Sequence, residues 1–269
     1  MKKQVFLIPI DFTDVTENAL KYALRMSNPN DEIVLLHIEG ELNQAVTEYT
    51  MGVLKDKYTK GYDVKITTSI VSGKIELEIG KAAESFDADL IVMGTHGEDF
   101  FQRIFGSKAI DVISNSKTPF IVVQNGTSFK SMKKVVMTID FERKSMRVIE
   151  AVSKLCLHYD AEIILVGGNH LGNEDWKDIN SNIQTALKFL LEQKIKCSTK
   201  LLNQKTFNEE LISFSELNDI DMIALAYYPD TQHSVSYTHL RAHETDSYLV
   251  CRLLLEKRLE ANDLGGAGL

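Results

Sequence analysis

No stretch of the chain approaches the roughly 18 consecutive apolar residues that a membrane helix needs, so the sequence predicts a soluble, cytoplasmic protein with no membrane partner. The opening MKKQVFLIPID imitates a secretory leader, but its apolar run stops at Asp11 after about six residues, short of the roughly 7–15 required. It reads instead as a first strand. Cysteine is scarce: Cys156, Cys197 and Cys251 are odd in number and lack CxxC or metal spacing, which argues for reduced core thiols over a disulfide frame. Positive charge is in deficit as well. A net charge of -8, spread along the chain, argues against a protein that coats nucleic-acid phosphates. Signatures of catalysis are missing too, for the chain has neither GxxxxGKS nor GxxxxGKT, and neither HxGH nor SGGxDS. The acid pairs Asp14 with Glu17 and Glu209 with Glu210 read as helix-start charges, so no catalytic residue and no metal ligand is predicted.

What the chain does have is an alternation of strand and helix signals. With 269 residues, 44% of them hydrophobic, two small domains are the natural expectation. VFLIPIDF (5–12) is a short apolar run followed by an amphipathic segment from Asp14 to Met26, and Asp14 with Glu17 has capping-box spacing. There follow EIVLLHI (32–38), a helical stretch through Tyr58, VKITTSIV (64–71), a helix from Lys74 to Ser85, DLIVMG (89–94), a helix near Ser107 to Ser114, and PFIVV (119–123). Apolar strands without period-2 alternation, separated by helices, describe a parallel sheet covered on both faces.

The pattern then restarts. KKVVMTIDF (133–141) repeats the first strand, so that Asp140 and Phe141 echo Asp11 and Phe12; EIILVGG (162–168) repeats EIVLLHI, and DIDMIALAY (219–227) repeats DADLIVMGT (87–95). The expected fold class is α/β, two tandem doubly wound, Rossmann-like domains with a five-stranded sheet in the first and a truncated second copy. Their expected bounds are 1–124 and 133–233, joined by a polar linker over 125–132. Residues 234–269 are expected to be non-native. VSYTHLRAHET (235–245) and LVCRLLLEK (249–257) resemble translated sequencing adapter, and the second copy's final helix and strand never arrive before them.

The sharpest chemical feature is MGTHGEDFFQRIFGSKA (93–109), between a strand and the next helix. Open parallel sheets bind ligands beyond the carboxyl ends of their strands, where Gly94 stands. Gly106 and Ser107 open the following helix, whose unpaired N–H groups and positive dipole end suit phosphate. Spacing alone leaves a second option, in which the glycines serve only as tight turns. His37 reads as a strand-end histidine with a local hydrogen bond, His96 as a loop contact, and Phe100, Phe101, Ile104 and Phe105 as a packing face.

IPIDF followed by DVTENALKYA, then LLHI, VMGTHG, GSKA and TPFIVV together resemble the universal stress protein family, in its ATP-binding subtype, over nearly all of residues 1–124 with a weaker echo over 133–233. The resemblance implies an adenine nucleotide, ATP or a relative, alone or with Mg. It implies that Asp11 receives the adenine with Pro9 shaping the approach, and that Ile38 contacts the base. Met93 and Gly94 would line the ribose, and Gly97, Gly106, Ser107 and Lys108 would surround the phosphates. Two departures lower the expected affinity: Gly97 and Gly106 enclose eight residues where the family pattern has nine, and Glu98 and Asp99 put like charge beside the phosphates. In the second copy Ala226 and Pro229 replace Gly94 and Gly97, which marks a degenerate partner. The function expected is stress-response nucleotide binding with hydrolysis absent or very slow. The alternative is a nucleotide-free interaction module whose two copies pack as a pseudo-dimer, with a homo-oligomer open to either.

Overall fold

The structure is a computed structural model that describes residues 3–39, 44–95, 112, 115–124, 128–139, 145–169, 175–227 and 247–251. The first unit runs β1 (Val5–Pro9), α1 (Asp14–Met26), β2 (Glu32–Glu39), α2 (Gln44–Thr59), β3 (Lys65–Ser72), α3 (Ile75–Ser85), β4 (Leu90–Thr95) and β5 (Phe120–Gln124). All its strand pairs are parallel, in the order β3-β2-β1-β4-β5. The chain reverses its direction of travel across the sheet between β1 and β4. That is the topological switch point at which open α/β sheets form a crevice.

The second unit repeats the plan with β6 (Lys134–Ile139), α4 (Ser145–Tyr159), β7 (Glu162–Asn169), α5 (Asp175–Glu192), β8 (Cys197–Asn203), α6 (Phe207–Leu217) and β9 (Met222–Tyr227). Its four strands lie in the matching order β8-β7-β6-β9, also parallel. The correspondence reaches single residues. Leu7 stands opposite Ile91 in the first unit and Val136 opposite Ile223 in the second. Asp89 accepts from the Val5 amide at 3.0 Å, and Asp221 accepts from the Lys134 amide at the same distance. Asp87 and Asp219, two residues earlier, both adopt left-handed backbone, at φ 49° and 53°.

The seat beside β9, where the first unit has its fifth strand, is filled by β10 (Ser247–Cys251), drawn from the adapter-like stretch. It runs parallel to β5 but antiparallel to β9, so the ten-stranded sheet holds one antiparallel pair that the repeat does not predict.

Alternate residues of each strand face opposite helix layers. Phe6, Ile8, Leu35, Val92 and Ile121 pack under α1 and α2 against Ala19, Leu20, Ala23 and Met51, in a cluster that continues through Val135, Met137, Ile149 and Leu155 of the second unit. On the other face Leu7, Leu36, Ile91, Phe120 and Val122 pack against Ile79, Ala82 and Ala83 of α3. The units also meet through polar groups: the Tyr159 hydroxyl donates to the Met26 carbonyl at 2.6 Å, Asn28 pairs with His158, and Phe129 lies between the rings of Tyr22 and Tyr159. Among the described residues no helix is long and apolar enough to cross a membrane, and no group of three or more metal-ligating side chains is gathered.

Candidate functional site

The crevice is built from the carboxyl ends of β1, β2 and β4. β1 ends at Pro9, half-buried, and the ladder is prolonged by the Ile10 amide donating to the Leu36 carbonyl at 2.8 Å. Asp11 is the first residue past that end, with its side chain exposed. Its Oδ1 accepts three hydrogen bonds: from the Thr13 amide at 3.0 Å, the Thr13 hydroxyl at 2.6 Å and the Thr16 hydroxyl at 2.8 Å. Partial burial pushes the Asp11 pKa up, but the Thr13 and Thr16 hydrogen bonds outweigh it and hold the carboxyl below its ordinary 3.8. Asp11 is therefore an ionised, pre-aimed acceptor at neutral pH, and Oδ2 takes none of those three bonds.

This arrangement corrects the capping expectation. The residue that caps α1 is Thr13, whose side chain accepts from the Thr16 amide, and Asp14 is the first helical residue. Glu17 does not fold back on the cap; its carboxylate binds Lys57 at 2.7 Å, Lys21 at 3.1 Å and the Tyr58 hydroxyl. A hydroxyl at position 13 can serve the helix and Asp11 at once, a short-range competition that favours Thr over Asp there. Thr13 and Thr16 were not among the expected site residues. The run DFTDVT, an aspartate followed by hydroxyl residues two and five places on, is the signal that marks them.

Between Asp11 and Thr13, Phe12 has left-handed backbone with φ 66°, a conformation that bulky residues rarely hold. Its ring lies over that of His37, 4.8 Å between centroids. His37 is 6% exposed, donates from Nδ1 to the Ile10 carbonyl at 2.7 Å, and leaves Nε2 buried without a partner. The histidine thus ties the end of β1 to β2. It is a structural brace, as its strand-end position suggests.

On β4, Met93 is buried among the α3-facing core, and Ile38 at the end of β2 packs against the same cluster. Gly94 has a specific steric cause: a Cβ built on it would lie 2.4 Å from the Val15 carbonyl oxygen and 2.9 Å from Val15 Cγ1. The glycine lets the first turn of α1 sit directly on β4, which brings the Thr13–Thr16 turn and Asp11 to the switch point. Pro9, Asp11, Ile38, Met93 and Gly94 therefore share one end of three adjacent strands. Gly97, Gly106, Ser107 and Lys108 lie outside the described residues, as do His96, Glu98 and Asp99.

Residues 3–124 match the universal stress protein family. Two proteins of Methanocaldococcus jannaschii are similar to this stretch: universal stress protein MJ0531, 33% identical over 136 residues that cover 44% of this chain and 80% of the relative, and universal stress protein MJ0577, 30% identical over 155 residues that cover 45% and 95%. The chain belongs to the universal stress protein family. The crystal structure of a universal stress protein from Archaeoglobus fulgidus overlays 92% of this chain and 97% of its own length, with a TM-score of 0.64 at 15% identity, a likeness of fold that takes in both units.

For a member of this family the two units differ at one telling place. Where Gly94 admits the Val15 carbonyl, the second unit has Ala226 on β9, and the residue matching Gly97 is Pro229, outside the described residues.

Proposed function

We propose that the first unit binds an adenine nucleotide, ATP or a close relative, at the carboxyl ends of β1, β2 and β4. The observation that carries this reading is Asp11, pinned through Oδ1 by Thr13 and Thr16 at the switch point of the sheet. An ionised carboxylate with one oxygen held and the other outside those bonds suits the exocyclic amine of adenine, which can only donate. Pro9 fixes the backbone approach to it, Ile38 offers apolar surface to the base, and Met93 and Gly94 border the ribose. Gly97, Gly106, Ser107 and Lys108 take the phosphates, through backbone N–H groups at a helix start, the Ser107 hydroxyl and the Lys108 ammonium. In this reading the chain is a stress-response binding protein without committed catalysis.

In the same reading the chain is a tandem protein, with units at 1–124 and 133–233 packed as an internal pseudo-dimer and the second too altered to hold ligand. Residues 234–269 are non-native, and β10 occupies its seat as a stand-in for the strand that the repeat calls for. A nucleotide-free interaction module is the second reading. It is favoured by one observation, that packing of α1 against β4 explains Gly94 without any ligand. A mass spectrum of small molecules released on denaturing the freshly purified protein separates the two. The first reading expects adenine nucleotide in the supernatant, and the second expects none.

A further inference from the structure

On the face of the sheet opposite Met93 and Ile38, α1 and α2 part to leave a cavity of about 240 Å³. Ile10 and Phe12 form its floor side, Thr16 its α1 wall, and Val53, Leu54 and Lys57 its α2 wall. The mouth of this mainly apolar hollow carries the Lys57–Glu17 ion pair, 2.7 Å long. Beside it, α2 shows solvent three large hydrophobic side chains at helical spacing: Val46, Tyr49 and Val53, respectively 57%, 74% and 51% exposed. An exposed apolar stripe bordering an apolar hollow is the composition of a contact surface.

The stripe is self-complementary. Its outer members, Val46 and Val53, are equidistant from a point between Tyr49 and Thr50, so an antiparallel copy of α2 sets Val46 against the second Val53 and Tyr49 beside the second Thr50. Long side chains on a helix lean toward its N-terminus. In an antiparallel pair that direction leads from Thr50 of the opposing helix toward its Val53 and Leu54, which is where the cavity opens. A phenol entering there meets apolar walls along its ring and the Lys57 ammonium and Glu17 carboxylate at its hydroxyl, one able to donate to it and the other to accept. We propose that two copies of the chain associate through antiparallel α2 helices, each inserting its Tyr49 into the cavity between α1 and α2 of the other.

Such a contact is isologous and closes on itself as a dimer. The stripe and cavity walls amount to on the order of 500 Å² per copy, so the pair hides about 1,000 Å², at the lower edge of specific interfaces, and the dimer is weak and reversible. Sedimentation velocity on the full chain, from about 1 to about 200 μM, reads it directly. The expected result is a monomer–dimer equilibrium whose dissociation constant rises at least about 30-fold in Tyr49→Ala, as for a buried aromatic anchor. Leu217→Ala, which removes an equally exposed leucine on α6, leaves it unchanged. Copies carrying Thr50→Cys should be joined by a short bismaleimide that does not join the unsubstituted protein. A monomer at every concentration, or a dimer indifferent to Tyr49→Ala, overturns the proposal. Failure of Thr50→Cys copies to join overturns the antiparallel seating.

Discussion

Replacing Gly94 by alanine tests how the site is held together. The added Cβ would meet the Val15 carbonyl oxygen at 2.4 Å and its carbon at 2.8 Å, whereas unstrained carbon–oxygen contacts lie near about 3.3–3.6 Å. Both obstacles are backbone, so no side-chain rotation relieves them, and the first turn of α1 must retreat from β4 by about 1 Å. Overpacking of this kind costs roughly 1–3 kcal/mol. The same retreat carries Thr13 and Thr16 away from Asp11, so nucleotide affinity should fall together with stability. Gly52, in the middle of α2, is the control: a Cβ there meets nothing within 4 Å, and Gly52→Ala should stabilise by about 0.5–1 kcal/mol through backbone entropy alone. Because two units need not unfold in one transition, the measurement is native-state hydrogen exchange read peptide by peptide, and not a global melt. Gly94→Ala should deprotect Asp14–Met26 and β4 while sparing α5, and Gly52→Ala should do neither. Unchanged protection of α1 in Gly94→Ala would refute the close-packing argument.

Three further outcomes are expected. Lys57 first, then Tyr58, holds the Glu17 pKa at about 2, and Lys3 and Lys65 do the same for Glu32, both well below the ordinary 4.5. A depressed carboxylate stabilises the fold fully above its unfolded pKa, so this contribution should disappear as pH falls from about 4.5 toward 2, and Glu17→Gln with Glu32→Gln should flatten the acid arm of a stability–pH titration. Burial pushes the Cys156 thiol up to about 12, so in native protein at pH 8 a maleimide should leave it unmodified by peptide mass mapping, with labelling only after denaturant is added. Deleting residues 234–269 should leave hydrogen exchange in α1, β1 and β2 unchanged, since among the described residues the tail pairs with the first unit's sheet along β5, at its edge; deprotection of β1 would make the tail a structural part of that unit.

The first unit was legible in the sequence because its strands are uninterrupted apolar runs buried on both faces, and because each is followed by a periodic amphipathic segment. The repeat was legible for the same reason, and DxD before a strand proved to have a local cause in the clamps that Asp89 and Asp221 form on neighbouring strand amides. β8 was not legible: an edge strand exposed at most positions, it carries Cys197, Ser198, Thr199 and Lys200 and needs no apolar run. The α1 cap was misread because capping-box spacing at Asp14 and Glu17 competes with a threonine one place earlier that also serves Asp11. The direction of β10 was beyond reach, as nothing in a short apolar segment fixes whether it joins a free edge parallel or antiparallel. Within the site, the glycines and Ser107 stood out by type and position, and Asp11 through the family resemblance. The histidine that braces β2 acts through a contact that forms only once the strands are side by side, whereas the threonines that hold Asp11 stand two and five places from it and carry a local signal, the run DFTDVT.

The central claim is that Asp11 and the strand ends around it hold an adenine nucleotide, and titration calorimetry of the full chain with ATP tests it most directly. The account predicts one site per chain with a dissociation constant on the order of 1–100 μM, about 5–8 kcal/mol of binding free energy, the modest value expected from a glycine loop one residue short and from the like charge of Glu98 and Asp99 in the sequence. Asp11→Asn, which removes the charge and puts a donor where the adenine amine must also donate, should cost at least about tenfold, and Ala226→Gly in the second unit should change nothing. Absence of both heat and thermal stabilisation with ATP, ADP and AMP at about 1 mM would contradict the account, because ligand that weak could not occupy the site.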